Sequence, residues 1–171
     1  ILLTMYSGMR IGEICALKWS DIDLQSGIIR ISKTVQRIND KIGNSKTKII
    51  VGSPKSRTSE REIPIPNFLV NILNERRQNE NNYILSGTHK LIEPRTMQNR
   101  FKSVLKKCGI RNVNFHLLRH TYATVCIENG FDAKTVSELL GHSNVNITLN
   151  RYVHSSLDTK KKYVEKLNFV A

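Results

Sequence analysis

The spacing of apolar residues changes at Pro66 of this 171-residue chain, and the change limits what the chain can fold into. Between Ile28 and Ile65, short runs of β-branched residues alternate with polar, turn-rich stretches. From Pro66 onward, apolar residues recur at intervals of three and four, as at Leu69 and Leu73. Runs of the first kind indicate strands, and spacing of the second kind indicates amphipathic helices. The sequence therefore predicts a mainly α fold with one small antiparallel β-sheet, in the α+β class.

The individual elements follow from the same spacing and from glycine, proline and capping residues. Helices are predicted over 1–7, 10–17, 116–129, 132–140, 146–152 and 157–167, with two more beginning near 66 and 94. Strands are predicted over 28–35, 49–51 and 61–65, with a loop over 36–48 and an exposed hairpin tip over 52–59. Asp132 is expected to cap its helix, and Gly109, Gly130 and Gly141 are expected to follow helix ends.

The charge of the chain favours a polyanionic partner. Lys and Arg number 27 against 14 Asp and Glu, a net charge of +13. Nucleic acid is favoured over a membrane surface, because no basic amphipathic helix with an aromatic face is present. No apolar run has the length of a transmembrane helix, and no signal peptide is visible. Cys15, Cys108 and Cys126 lie in apolar helical patterns and are predicted to be reduced core residues of a cytosolic protein.

The helix predicted from His116 carries the densest cluster of candidate functional residues. At 100° per residue, His116, Arg119 and His120 share one face. The opposite face is apolar and is predicted to pack inward; it carries Leu118, Tyr122, Val125 and Cys126. A solvated polar face and a zinc site at His116 and His120 are alternatives, but a fixed cation between the imidazoles repels a metal and attracts a phosphate.

Two further basic candidates lie in the first third of the chain. Arg10 follows Gly8 at the start of a predicted helix, where a helix N-terminus and a guanidinium together make an anion site. Glu13 lies one turn later and could orient Arg10. Lys55 is predicted at the tip of a β turn, from which it could reach a DNA groove. A solvated loop lysine is the alternative, and other basic residues compete for this role: Lys46, Lys48 and Arg57.

The last candidates are His142 and Tyr152. His142 follows Gly141, a position where a histidine is more often a cap or surface residue. A lone tyrosine is most often a core or interface residue. For Tyr152 to attack phosphorus, its phenol, with a pKa of about 10, needs a neighbouring cation or base. The candidates above could supply one.

Four segments in chain order resemble the motifs of the catalytic domain of tyrosine recombinases, the phage-integrase family. They are Ser-Gly-Met-Arg-Ile-Gly-Glu at 7–13, Pro-Lys-Ser-Arg-Thr-Ser-Glu-Arg-Glu-Ile-Pro at 54–64, His-Leu-Leu-Arg-His-Thr-Tyr-Ala-Thr at 116–124, and Leu-Leu-Gly-His at 139–142 continuing to Tyr-Val-His at 152–154. The resemblance spans nearly the whole chain. It implies the catalytic-domain fold of these enzymes, which break and rejoin DNA.

The resemblance also implies the reaction and its central residues. Tyr152 would attack the scissile phosphate and form a 3′-phosphotyrosyl link, while Arg10 and Arg119 would clamp the non-bridging oxygens. The function implied is site-specific recombination, as by the integrase of a phage or integrative mobile element. No cofactor, divalent metal or ATP would be needed, because the protein–DNA link retains the energy of the phosphodiester.

Four other residues receive supporting roles from the resemblance. His116 would assist proton transfer or phosphate binding, and His142 would donate a hydrogen bond to the phosphate. Lys55 would protonate the leaving 5′-oxygen. Glu13 would support the site by positioning the arginines, without contacting the DNA itself.

The resemblance extends to domains and partners. Residues 1–171 are expected to be one catalytic domain of a longer protein, without the N-terminal core-binding domain of family members. The partners implied are double-stranded DNA at attachment or recombination sites, a homotetramer on that DNA, and accessory DNA-bending or directionality proteins, in the bacterial cytoplasm at the nucleoid. A tail helix over 157–171 would exchange between protomers through Tyr163, Val164 and Leu167, with packing in cis as the alternative.

Two other functions fit parts of the sequence. Residues 132–152 are compatible with a helix–turn–helix, which would make the chain a DNA-binding module without catalysis. A type IB topoisomerase shares the phosphotyrosyl chemistry and would relax supercoiled DNA without sequence preference. The substitution Tyr152→Phe distinguishes the module from the enzymes. A binding module should tolerate it, whereas an enzyme should keep DNA binding and lose all covalent product.

Overall fold

The structure is a computed structural model that describes residues 1–40, 46–54, 57–152, 161 and 164–165. The helices are α1 (Leu2–Met5), α2 (Ile11–Ala16), α3 (Asn67–Glu75), α4 (Pro94–Lys107), α5 (His116–Glu128), α6 (Ala133–Leu140) and α7 (Asn146–Tyr152). The strands are β1 (Ile22–Asp23), β2 (Ile28–Ile31), β3 (Thr34–Asn39), β4 (Thr47–Gly52) and β5 (Arg61–Pro64). In this part of the chain, every helix is too short or too polar to cross a bilayer.

The strands form two antiparallel sheets, where one was predicted. One has the order β1-β2-β5, with Ile29 opposite Ile63, and the other is the ribbon β3-β4. The single strand predicted over 28–35 is therefore wrong, since it divides between the sheets. The loop predicted over 36–48 is wrong where it is described, because 36–39 and 47–48 pair within the ribbon.

Exposure explains why the ribbon escaped prediction. Most of its side chains are half-buried or exposed, and Val35 alone among the described ribbon residues is buried. A ribbon that buries so little needs no alternation of apolar and polar residues, which is the signal that a sequence offers for a strand. The segments at 49–51 and 61–65 also do not form one hairpin, since β4 pairs with β3 and β5 pairs with β2.

The main core lies between the three-stranded sheet and helices α2, α3 and α4. Ile29 and Ile63 are fully buried in it, and Phe101 packs edge-to-face on Phe115 with ring centroids 5.2 Å apart. A smaller cluster joins α5 to α6 through Ala123, Cys126, Val136 and Leu140. Cys15 and Cys126 are buried as predicted.

Two residues predicted to be buried are instead exposed. Cys108 is exposed just after the end of α4, and Val125 is 48% exposed on α5. Arg119 takes the interior position on α5, with only 2% exposure. The inward face of α5 is therefore rotated relative to the one predicted from hydrophobicity, because interior carbonyl groups satisfy Arg119.

The helix ends agree well with prediction. The Asp132 side chain accepts a hydrogen bond from the Thr135 N–H at 2.9 Å and caps α6. Gly141 ends the same helix in the left-handed conformation, with φ of +63°. The predicted tail helix falls mostly outside the described residues, and so do Tyr163, Leu167 and Lys55. Of its predicted docking residues, Val164 is described and is exposed.

Candidate active site

The C-terminus of α6 binds three arginines that lie far apart in the sequence. The bonds run from Arg61 Nε to Leu139 O at 2.7 Å, from Arg119 Nη2 to Leu140 O at 2.7 Å, and from Arg10 Nη2 to Gly141 O at 2.9 Å. The last carbonyls of a helix have no partner within it and carry partial negative charge. Three consecutive carbonyls therefore fix three guanidiniums around one helix end.

Glu13 holds two of these arginines from the other side. Its carboxylate accepts from Arg61 Nη2 at 2.9 Å and Nη1 at 3.1 Å, and from Arg10 Nη1 at 2.9 Å. Glu13 also accepts from the Arg10 backbone N–H at 2.8 Å, which closes the first turn of α2. Burial alone would raise the pKa of Glu13, but the hydrogen bonds and charge of Arg61, with the bonds from Arg10, lower it below its ordinary value. The carboxylate is therefore ionised and orients both guanidiniums.

Among the described residues, backbone carbonyls hold the Arg119 guanidinium. Its Nη1 donates to Gly8 O at 2.8 Å, in addition to the bond to Leu140. Gly8 has φ of +61°, and a Cβ there would lie 2.5 Å from the Tyr122 ring. Only glycine fits this turn, which explains the Ser-Gly-Met-Arg motif. Burial, with the charge of Arg10, lowers the pKa of Arg119 to about 9, so the side chain stays charged at neutral pH.

His142 lies next to the arginines and is neutral. Its Nδ1 lies 2.9 Å from the hydroxyl of Thr148, which is fully buried on α7. Burial, with the charges of Arg119, Arg10 and other arginines, lowers its pKa to about 4. If the Thr148 hydroxyl donates to Nδ1, the ring proton is on Nε2 and can be donated to a ligand.

Helices α5 and α7 bring Tyr152 to the two remaining imidazoles. His120 Nδ1 lies 2.6 Å from Tyr152 Oη, and the His116 ring packs edge-on against the His120 ring at 4.6 Å. Burial lowers the pKa of His116 and of His120, with help from neighbouring positive charge. Burial raises the pKa of Tyr152, although Arg151 and Arg119 act in the opposite direction. The phenol is therefore protonated and the imidazoles are neutral at pH 7.

An open groove of about 410 Å³ lies beside these residues. Its lining includes Arg10, Glu13 and His142. Lys55 lies outside the described residues, but Pro54 and Ser59, on either side of it in sequence, also line the groove. The described part of the lysine segment therefore borders the groove.

The structure brings together the predicted residues that it describes, from motifs over a hundred positions apart. Two features of the site were not predicted from the sequence: the part played by Arg61 and the contact between His120 and Tyr152. Arg61 lies within the lysine segment, and the signal that marks it is the 6% exposure of its side chain, which the sequence does not reveal. In the described part of the chain, no three His, Cys, Asp or Glu side chains cluster as a metal site would need.

The helix–turn–helix alternative has some support in geometry. Helices α6 and α7 occur and are joined by a short turn at 141–145. However, the end of α6 binds the three arginines, and the end of α7 carries Tyr152 toward His120. Both helices therefore build the cluster of arginines and histidines.

Similarity to known proteins extends along nearly the whole chain. The model of the phage integrase family matches residues 1–158. A XerC-like tyrosine recombinase of Caldanaerobacter subterraneus subsp. tengcongensis is 36% identical over 98% of this chain and 48% of its own length. Tyrosine recombinase XerA of Thermococcus onnurineus is 30% identical over 99% of this chain and 55% of its own length. The chain thus spans about half the length of these relatives.

Relatives from mobile elements and solved structures extend the comparison. The transposase of transposon Tn916 from Enterococcus faecalis is 25% identical over 98% of this chain and 44% of its own length. The Tn1549 transposon integrase, solved with a circular intermediate DNA, has a TM-score of 0.75 at 22% identity, covering 98% of this chain and 57% of that one. The crystal structure of XerA recombinase has a TM-score of 0.65 at 25% identity, with coverages of 98% and 57%. The predicted fold, that of a tyrosine recombinase catalytic domain, is confirmed, and the chain belongs to the phage integrase family of tyrosine recombinases.

Proposed function

We propose that this chain is the catalytic domain of a longer site-specific DNA recombinase that forms a 3′-phosphotyrosyl intermediate through Tyr152. One observation carries the proposal: arginines from both ends of the chain meet at the C-terminus of α6, beside Tyr152 and three neutral imidazoles. A protonated phenol beside fixed positive charge suits attack on a phosphodiester. The family supports the same chemistry.

Arg10 and Arg119 would stabilise the charge that develops on phosphorus. Both guanidiniums are fixed before the reaction, Arg119 by two carbonyls and Arg10 by Glu13 and Gly141. Fixed donors require little reorganisation as negative charge builds on the non-bridging oxygens. His142 would donate a further hydrogen bond from Nε2, and Glu13 would keep Arg10 in place.

The remaining roles concern protons. Lys55 would protonate the 5′-oxygen as it leaves. In support, Pro54 and Ser59, which precede and follow Lys55 in sequence, line the groove together with Arg10 and His142. His116 would bind the phosphate or assist proton transfer through its neighbour. The reaction would need neither a divalent metal nor ATP, because the phosphotyrosyl bond retains the free energy of the phosphodiester and rejoining uses it.

Double-stranded DNA is the proposed substrate, and the net charge of +13 supports it. The logarithm of the affinity should fall linearly with the logarithm of salt concentration, because neutralised phosphates release counterions. A homotetramer with exchanged tails, accessory DNA-bending or directionality proteins, and a place at the bacterial nucleoid are further parts of the proposal.

The biological role proposed is integration or excision of a mobile element. The similarity to the Tn916 transposase and the fold of the Tn1549 integrase favour it. Similarity to a XerC-like recombinase, the higher in identity, favours chromosome-type recombination as the second candidate. The DNA that the protein cleaves distinguishes the two, so element ends and a chromosomal XerC-type site should be compared as substrates.

The test is a covalent trap on nicked suicide duplexes, run in EDTA without nucleotide. Wild-type protein, as this chain and within its longer parent, should give a protease-sensitive shifted band on a denaturing gel. Tyr152→Phe should bind the same DNA and give no band. Arg10→Ala should reduce cleavage far more than binding, whereas Arg76→Ala, at an exposed arginine on α3's end, should change neither.

Other outcomes would identify the alternatives. Specific binding without any covalent band from the parent protein would make the chain a DNA-binding module. Relaxation of supercoiled plasmid without a preferred site would indicate topoisomerase activity. A band that depends on added Mg²⁺ or ATP would contradict the proposed mechanism.

A further inference from the structure

His120 and His116 look equivalent in the sequence, but in the structure they differ in their contact with Tyr152. Both His116 and His120 lie on α5, one turn apart. Only His120 places a ring nitrogen at the phenol, with 2.6 Å between Nδ1 and Oη and 5.8 Å between the ring centroids. Among the described side chains, His116 instead contacts the His120 ring.

The direction of this hydrogen bond follows from the charges around it. Among the described residues, the titratable and charged groups that face His120 are His116 and Arg119 on α5, and Arg151 and Tyr152 on α7. Burial, together with Arg151 and Arg119, lowers the pKa of His120 and keeps its ring neutral at pH 7. A protonated phenol then donates, the Nδ1 lone pair accepts, and the ring proton is on Nε2.

We propose that His120 is the base that removes the phenol proton of Tyr152 as the phenolic oxygen attacks the scissile phosphate. This inference rests on the proposed recombinase function and deepens it. Oη forms its bond to phosphorus while its proton moves to Nδ1, and the phosphorus–5′-oxygen bond breaks. The leaving oxygen takes a proton from Lys55, so His120 gains one proton and Lys55 loses one. Rejoining reverses both transfers.

The other candidate groups of the site are poorly suited to this role. A phenol with a pKa of about 10 is ionised in roughly one part per thousand at pH 7, so attack needs an acceptor. Arg119 and Arg151 have no lone pair to offer. His142 Nδ1 is occupied by Thr148, and the Glu13 carboxylate by two arginines. Of the described groups, His120 is the one with a free acceptor in contact with the phenol.

The test compares two leaving groups in single-turnover cleavage. One suicide duplex has the ordinary scissile phosphate, and the other has sulfur in place of the bridging 5′-oxygen. A thiolate leaves without protonation, so the sulfur substrate removes the need for the acid but keeps the need for the base. His120→Ala should slow cleavage of both duplexes by about 10²- to 10⁴-fold. Lys55→Ala should slow only the oxygen substrate.

The dependence of the cleavage rate on pH tests proton transfer directly, because a purely structural role of His120 would leave this dependence unchanged. Wild-type cleavage of the sulfur substrate should lose rate as pH falls through the ionisation of His120. His120→Asn keeps an acceptor oxygen but cannot hold a proton, so its rate should be low and should rise with pH up to the phenol's own ionisation. Exposed His89→Asn is the matched control and should behave as wild type.

The outcomes distinguish failure of the role of His120 from failure of the proposed recombinase function. If wild-type protein gives no covalent product, both fail. If wild type cleaves and folded His120→Ala cleaves within about threefold of it, or faster, His120 is not the base. A His120→Ala defect that sulfur rescues would assign His120 to the leaving group instead. Should His120→Ala unfold, the same comparison is decided by His120→Asn and His120→Gln, with folding checked by thermal melting.

Discussion

Replacing Arg61 with methionine tests whether the arginine network stabilises the domain. Arg61 is 6% exposed and donates four hydrogen bonds, two to the Glu13 carboxylate and two to the carbonyls of Leu139 and Ser59. Methionine fills a similar volume but donates no hydrogen bond to any of these acceptors. We therefore expect a large loss of stability from a change that leaves the surface nearly unaltered.

The size of the effect can be estimated from the partners that remain. Breaking a buried ion pair by removing one member costs about 3–5 kcal/mol. Glu13 keeps its two bonds to Arg10, so the lower end, about 3 kcal/mol, is expected. In a domain of this length, that loss lowers Tm by roughly 6–12 °C.

The assay is urea unfolding at pH 7, with Arg30→Met as the matched control. Arg30 also pairs with a glutamate, Glu62, at 3.1 Å across β2 and β5, but both side chains are at least 60% exposed. An exposed pair contributes about 0–1 kcal/mol, so this variant should unfold close to wild type. If the free energies of unfolding of Arg61→Met and Arg30→Met lie within 1 kcal/mol of each other, burial does not make the Arg61 ion pair stabilising. Arg61→Met should also slow cleavage, because Glu13 would hold Arg10 less firmly.

Three further predictions concern stability and use the same unfolding assay. Gly8→Ala should destabilise by roughly 3 kcal/mol, because it adds a Cβ 2.5 Å from the Tyr122 ring at a residue with φ of +61°. Asp132→Ala should cost about 1 kcal/mol through loss of the α6 cap. The folded-state pKa of His142 is about 4, below the unfolded value of about 6.5. Because the unfolded state then binds a proton more readily, the contribution of His142 to folding stability is complete above pH 6.5 and is lost as pH falls toward 4. With these two values the linkage amounts to about 2 kcal/mol between pH 7 and 5. Because the imidazole is only half-buried and solvent screens it, His142→Asn should lose roughly 1 kcal/mol less than wild type over this range.

Each of these predictions has its own control. Gly109→Ala has a similar φ of +67° with open space around it, so it isolates the conformational cost, about 1 kcal/mol. A Gly8→Ala loss no larger than this would contradict the predicted clash. Asp132→Asn should restore the cap, and its failure to do so would point to charge instead. Equal pH dependence with and without His142 would show that its neutral state is not linked to folding.

The sequence was sufficient for helices that bury one regular face or carry a clear terminal signal. Helix α6 lies between a capping Asp132 and a left-handed Gly141, and both signals are local. The ribbon β3-β4 was missed because its partly exposed side chains need no apolar alternation. The buried face of α5 was misjudged because a charged side chain, Arg119, occupies the interior where an apolar one was expected.

The sequence by itself determined the family, the motif residues and the excess positive charge, because glycines, arginines and a tyrosine at set spacings are local information. Only the tertiary structure decided which charges are buried, which carbonyls hold them and which imidazole meets the phenol. Arg61 contacts residues 48 and 78 positions away, and His120 contacts a residue 32 positions away. Such contacts depend on how α2, β5, α5, α6 and α7 pack, since burial and hydrogen bonding are properties of neighbours in space.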